Sequence, residues 1–408
     1  MVHFTLQRFG QMRTFGLRVR GKKFNHRVPI RYQRFQDSID PEEIVKYHSR
    51  DDLDQLDRRA GERTYKDAQN SLGKKNILLP NLRSQDLEAN NIFQQEYDRQ
   101  RANIARINKI RVIVDSVPGR GTELSMNQYL STPYECALHI HNLLTTRSVV
   151  AELDPLDASA EVVPTSDTVS NENSLTVNQD KAEHEKIYWD MHRPLEGDCR
   201  MKFRHFAEGD VNQINKIYWR SCSFVLGMAI RLAFKDDIKV LLHSWPKPNL
   251  KSGSFIYDVA INLSGQWKPD ERELRAFTKI MWQIKAAALP FERLVVTKDI
   301  AKEMFATNPL KLAQIESIAL SNTTKGKITV YRCGGLLDMS VGPMISDTSQ
   351  IGRISLAAVH PFETTSDQYK GIFYRFQGVS LPQQLPVSSF LYQNVLLNQA
   401  KQLNKTAL

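Results

Sequence analysis

The stretch QINKIYWRSCSFVLGMAIRLAF, residues 213–234, carries apolar side chains on nearly every face. A helix that is apolar all round is built to be buried, so it calls for a domain able to enclose it. The following residues supply the enclosure. SFIYDVAINL (254–263) puts Phe255, Tyr257, Val259, Ile261 and Leu263 on one face of a strand. PDERELRAFTKIMWQIKAAAL (269–289) returns to helical spacing through Leu274, Phe277, Met281 and Ile284. KDIAKEMFATNPLKLAQIESIA (298–319) reads as two short helices broken at Asn308-Pro309. KITVYR (327–332) and LLDMSV (336–341), separated by Cys333-Gly334-Gly335, read as a hairpin. Residues 208–382 are therefore expected to form an α+β domain. The tail, 383–408, is expected to end in one amphipathic helix, SSFLYQNVLLNQAKQLN.

Upstream, the periodicity describes a smaller module over 109–206. KIRVIVDSV (109–117) alternates as a strand does, and PGRG (118–121) gives a turn. Thr132 can cap a helix PYECALHIHNLL with Pro133 at its first position. SVVAEL (148–153) and CRMKFRHF (199–206) read as further strands. Strand, turn, helix, strand and strand in that space describe a β-grasp module. Residues 155–184 interrupt it with Ser, Asp, Asn, Thr and Glu and no aromatic residue, the composition of a disordered insert. Residues 37–108 read as a polar, partly helical extension with no globular core before Lys109. Its last helix starts near Ser84, with Asp86 and Glu88 in the first turn, and runs to about Asn108.

Charge is placed unevenly. Residues 1–36 hold Arg8, Arg13, Arg18, Arg20, Lys22, Lys23, Arg27, Arg31 and Arg34 and no acid; removing those nine from the chain's 55 Lys and Arg leaves 46 against 45 Asp and Glu. An Arg-rich, acid-free start suits a mitochondrial import segment. It equally suits an RNA-binding arm, because each cation that neutralises a phosphate releases a counterion. Four cysteines lie far apart with no C-x-x-C pair, which fits neither a disulfide framework nor a zinc ribbon. No run of apolar residues is long enough to span a membrane. His139 and His141 are two apart on a helix and point in different directions, which predicts one buried and one exposed ring, not a metal pair. His360, before Pro361, is expected in a loop with a local hydrogen bond. PGRGTE (118–123) lacks the ending of a phosphate loop.

Three strings in the larger domain carry a resemblance. RSCSFVLGMA (220–229), GSFIYDV (253–259) and DMSVGPM (338–344) resemble, in order and spacing, the HSCAHLLGHA helix, GFYYDV strand and DMCRGPH turn of the threonyl-tRNA synthetase editing region. The upstream module resembles the small β-grasp (TGS) domain found at the same place in those enzymes. STPYECALH (131–139), KIYWRSC (216–222) and YRFQGVSLP (374–382) resemble strings of the synthetase-like proteins of animal mitochondrial large ribosomal subunits. The resemblance covers roughly 109–382. It implies a structural ribosomal protein whose partners are mitochondrial ribosomal RNA and neighbouring large-subunit proteins, with no small-molecule substrate, cofactor or metal. The tail 383–408 is too short for the catalytic sheet of a class II synthetase, so no such sheet is expected.

The family's editing pocket hydrolyses an ester with polar groups that position water, two of them histidines at i and i+4 on one helix face. Carried over one position at a time, the helix histidines become Arg220 and Phe224, and the turn cysteine and histidine become Ser340 and Met344. All four are replaced, while Gly227, Gly253, Tyr257, Asp258, Gly342 and Pro343 are kept. The resemblance thus implies a silent pocket, filled on its Phe224 side. The alternatives are a free-standing aminoacyl-tRNA deacylase using Ser340, or a tRNA- or RNA-binding module outside the ribosome.

Overall fold

The computed structural model describes residues 83–117, 120–156, 187–263, 265–320, 326–363 and 371–406. The basic arm, most of the polar extension and residues 157–184 of the insert lie outside them; Pro155 ends a strand. Three sheets form. The first orders its strands β2-β1-β5-β3-β4: β1 (Lys109–Val117), β2 (Arg120–Asn127), β3 (Val150–Pro155), β4 (Ile187–Trp189) and β5 (Cys199–Arg204). β1 runs antiparallel to β2 and parallel to β5 at the centre. Ile110, Val112 and Val114 turn inward, as the alternation predicted, onto Cys136 and Ala137 of the helix between β2 and β3. That helix, α2 (Pro133–Ile140), begins with a capping box, Thr132 accepting from the Glu135 amide at 3.3 Å. It is shorter than predicted, because His141 is extended and its Nδ1 caps a separate helix, α3 (Asn142–Arg147), by accepting from the Leu143 amide at 3.0 Å. His139 and His141 are both exposed, correcting the expectation that one is buried.

The first helix of the described residues is α1 (Ser84–Ala102); the stretch apolar on every face becomes α4 (Val211–Ala233), started by Asp210, whose carboxylate accepts from the Asn212 and Gln213 amides. Every residue of α4 from Arg220 to Ile230 is buried. It packs on a four-stranded sheet ordered β11-β12-β7-β6, where β6 is Val240–Ser244, β7 Phe255–Ile261, β11 Ile351–Glu363 and β12 Ile372–Pro382. α5 (Glu271–Ala286) lies beside it. A Cβ on Gly227 would sit 2.6 Å from Cε2 of Tyr257, so the glycine is what lets helix and strand approach.

β7 departs from its alternating pattern, being buried along its whole length. Its second face is covered because the C-terminal tail returns across it. Arg375 holds Asp258 with two hydrogen bonds, at 2.8 and 2.7 Å, and donates to the Asn404 carbonyl at 2.6 Å. Gln377 donates to the carbonyls of Ala400 and Gln402. Before this strap the tail is helical over 389–400, but with a π-helical turn at Tyr392–Leu396 instead of one regular helix. His360 lies inside β11, not in a loop, and reaches the distant Lys401 carbonyl at 3.2 Å.

The third sheet, β10-β9-β8, joins β8 (Phe291–Thr297), β9 (Lys327–Cys333) and β10 (Leu336–Met339), the last two forming the predicted hairpin. The helices α6 (Lys298–Met304) and α7 (Pro309–Leu320) pack on it. A core before Lys109 was not expected, yet α1 completes this layer. Phe93 is fully buried among Leu294, Val296, Ile315 and Val330, worth about 2–3 kcal/mol of transfer free energy. Arg83 donates to the carbonyls of Phe234, the C-cap of α4, and of Lys235 and Ile238 in the turn beyond it. Asp86 pairs with Arg231 at 2.6 Å. A charged tail was legible in this segment; its one deep apolar anchor was not.

Candidate functional site

Four elements converge where α4, the end of β6, α7 and the end of β10 meet. Deepest is a polar network that neither periodicity nor the motif comparison singled out as a unit. Asp338, completely buried on β10, accepts from the Tyr257 hydroxyl of β7, from the Lys311 ammonium of α7, and from the Met339 amide at 2.7 Å. Lys311 is itself buried. Burial, then the neighbouring Asp338 charge, raises the Tyr257 hydroxyl well above its ordinary value, so it remains a donor. A carboxylate taken from water needs its lone pairs filled, and here three donors fill them. A weak signal pointed to Lys311: it sits four residues before buried Ile315, on the same helix face.

Above this floor lies an open pocket of about 150 Å³. Arg220 and Ser340 line it, with Ser244, Lys247, Lys311 and Gln314, and Trp245 forms part of the wall. Arg220 donates to the Pro343 carbonyl at 3.0 Å. The Ser340 hydroxyl accepts from the Gly342 amide at 3.3 Å. Gln314 is held by donation to the His243 carbonyl at 3.0 Å.

The other two positions do not line this space. Phe224, one turn beyond Arg220, is fully buried with its ring edge-on to Trp245 and Phe291, centroids 6.0 and 5.5 Å away. Met344 is also fully buried, its amide donating to Asp190 at 2.7 Å and its sulfur 3.6 Å from the Ser221 hydroxyl. Phe224 and Met344 thus belong to the core, and a space persists beside Arg220 and Ser340. The kept motif residues have packing reasons. Gly342 has φ +72° and a Cβ there would strike the Tyr331 hydroxyl, which donates to Asp190 at 2.9 Å.

A larger cleft of about 410 Å³ lies beside Arg83, Asp86, Arg231 and Asn308. Its charges include the Asp86–Arg231 pair and the Arg83 anchor, which fasten α1 to the body. Among the described residues no cluster of His, Cys, Asp or Glu could hold a metal ion, and no helix is long and apolar enough to cross a membrane. All four cysteines are free and buried; burial pushes the thiols of Cys136, Cys199 and Cys222 up to about 12, so they stay protonated. The nine cations from Arg8 to Arg34 lie outside the described residues.

No model of a known protein family matches the chain. Individual proteins do. The chain is 27% identical over 260 residues to the mitochondrial threonine–tRNA ligase 1 of Arabidopsis thaliana, covering 62% of this chain and 33% of the ligase. It is 32% identical over 199 residues to the cytoplasmic threonine–tRNA ligase 2 of Homo sapiens, covering 48% of this chain and 22% of the ligase. It therefore spans a third or less of the length of these ligases. Mixed α+β architecture, three motifs in register and these likenesses define a threonyl-tRNA-synthetase-like protein. Over 293 residues the chain is also 37% identical to large ribosomal subunit protein mL39 of Drosophila melanogaster, covering 72% of this chain and 77% of that protein. The chain belongs to the mL39 family.

Proposed function

We propose that this chain is a structural constituent of the mitochondrial large ribosomal subunit, resident in matrix ribosomes, and that its editing-type pocket hydrolyses no ester. One observation carries the second part. Among the described residues the pocket is lined by no histidine, cysteine or carboxylate. Ester hydrolysis needs a group that can take or give a proton near neutrality. Arg220 is permanently protonated, Ser340 is a hydroxyl whose partner is an amide donor, and Phe224 and Met344 have no proton to exchange. Family membership supports the ribosomal part.

Residues 109–206 form a TGS-like β-grasp module, supported by the β2-β1-β5-β3-β4 order and the parallel β1–β5 pair, with 155–184 as its insert. Residues 208–382 correspond to the editing domain, 383–408 to a C-terminal segment, 37–108 to an extension ending in α1, and 1–36 to a basic arm. The folded parts meet neighbouring large-subunit proteins and ribosomal RNA by shape, while the arm neutralises RNA phosphates. The reading includes no cofactor, metal or small-molecule substrate.

Sedimentation of a mitochondrial lysate on a sucrose gradient tests the assignment. The protein is expected to migrate with the large subunit. Recovery solely in slow fractions with free tRNA would support an RNA-binding module outside the ribosome instead.

A further inference from the structure

We propose that the outward face of the C-terminal helical segment, 389–400, together with Trp282 of α5, docks onto an apolar, uncharged surface of a neighbouring large-subunit protein. This rests on the ribosomal reading above and deepens it by naming the surface. Residues 376–400 contain no Asp, Glu, Lys, Arg or His, the longest such run in the chain. The chain as a whole is 25% charged, so the run departs from its average composition. The β12 part of the run is largely buried and owes its neutrality to the core. The helical part has no such reason. Phe390 is 73% exposed, and Leu391 and Val395 are exposed with it. A surface helix ordinarily turns charged and polar side chains to solvent. Apolar side chains on an uncharged outer face mark a surface that another molecule covers.

The inner face of the segment is fixed by this chain. Tyr392 is buried, its hydroxyl 3.0 Å from the Val379 carbonyl and 3.1 Å from the Ser355 hydroxyl, and Ala400 is buried in the same cluster. The π-helical turn at Tyr392–Leu396 lies where this inner set meets the outer one, and turns of that kind recur at functional positions. On the outer face Asn394 and Asn398 donate to the carbonyls four residues back, Phe390 and Asn394, at 3.1 and 3.0 Å. With those donors engaged, removing water from the face strands fewer polar groups. Trp282 extends the face across the edge of β11. Its indole donates to the Ile354 carbonyl at 2.9 Å, and the adjacent Arg353 donates to the Ser389 hydroxyl at 2.9 Å. The half-exposed indole ring thus flanks the same edge as Phe390. Aromatic side chains with few charges are what the centre of a protein–protein interface contains. The two cations at this border serve the chain itself. Lys285 donates to the Gly352 carbonyl and the Gln383 side chain, each at 3.0 Å, and Arg353 lies over the Tyr392 ring, 4.9 Å from its centroid. RNA presents phosphates whose counterions must be replaced by Lys or Arg, and the run 376–400 holds neither. An apolar protein surface matches this face; RNA does not.

The test uses the full-length chain in purified mitochondrial large subunits. With photo-reactive benzoylphenylalanine placed at position 390, irradiation is expected to join the chain to an apolar, uncharged peptide of another subunit protein. A cross-link to a charged peptide, to ribosomal RNA or to a second copy of this chain overturns the proposal, as does the absence of any cross-link. A second measurement follows entry into large subunits in competition with wild type. Phe390→Asp, at an exposed position, should keep the wild-type melting temperature and enter about tenfold less. Phe390→Leu, which stays apolar, should recover most of that loss. Entry of Phe390→Asp at the wild-type level, or a deficit that Phe390→Leu shares in full, counts against the docking face. If Phe390→Asp melts early, the cross-link decides. Wild-type protein missing from large subunits refutes the ribosomal reading and the face together. Wild-type protein present there, without a protein cross-link at 390, refutes the face alone.

Discussion

The floor and the wall of the pocket differ in what holds them. The floor, Tyr257, Asp338 and Lys311, is buried and mutually satisfied, and it ties β7, α7 and β10 together. The wall, Arg220, Ser244, Lys247, Gln314 and Ser340, borders solvent-accessible space and is assembled from separate elements. Removing a floor group strands a charge in a medium that cannot solvate it. Exchanging a less buried wall group such as Lys247 or Ser340 disturbs little of the core, whereas Arg220 is buried. Stability therefore constrains the floor more tightly than the exposed part of the wall.

The largest effect should come from breaking the floor. Asp338→Ala leaves the Lys311 ammonium buried without its counter-charge and should cost about 3–5 kcal/mol, read by urea denaturation. Adding Lys311→Met should recover part of that loss, since an apolar side chain of similar length has no charge to strand. A double variant less stable than Asp338→Ala would show that the ion pair is not what the floor depends on.

Next come two changes at the seam of floor and wall. Gly227→Ala pushes a methyl group against the Tyr257 ring and should destabilise by about 1–3 kcal/mol. Phe224→His restores an imidazole where the family has one, but places it in the aromatic cluster with Trp245 and Phe291. It should cost about 1–3 kcal/mol through an unsatisfied polar group and yield no ester turnover. A stable, active Phe224→His protein would mean that one residue alone silences the pocket.

Smaller effects belong to the rim. Burial, and after it the Lys311 charge, holds the His243 imidazole below its ordinary value. Its neutral form is favoured in the fold, so the associated stability is complete above about pH 6.5, the unfolded value. It is lost as pH falls through the lowered folded value. The melting temperature should drop more between pH 7.5 and 5.5 for wild type than for His243→Asn; equal slopes would remove His243 as the cause. Smallest of all, Ser340→Ala should change stability by no more than about 0.5 kcal/mol, as a wall position should.

The same division explains what could be read from the sequence. α4 was legible because apolar residues on every face announce burial before any partner is known, and the β9–β10 hairpin because Cys333-Gly334-Gly335 separates two strand patterns. Both faces of β7 were not, since the cover over Asp258 comes from Arg375 and from the tail around Asn404, far along the chain. Phe93 was hidden in a polar helix of which it is the one fully buried apolar side chain. At the site, position-by-position comparison supplied the wall residues Arg220 and Ser340, but treated Tyr257 only as packing and passed over Lys311. Motif strings report which residues persist; they do not report that one buried carboxylate needs donors from two distant elements. Nor could strings show that Phe224 and Met344 sink into the core and leave space behind.

The direct measurement is hydrolysis of mischarged threonine tRNA by the purified full-length protein, followed against the spontaneous rate at neutral pH. A pocket lined, among the described residues, by no histidine, cysteine or carboxylate predicts loss of the ester at the spontaneous rate. Protein-dependent hydrolysis that disappears with Ser340→Ala would contradict it.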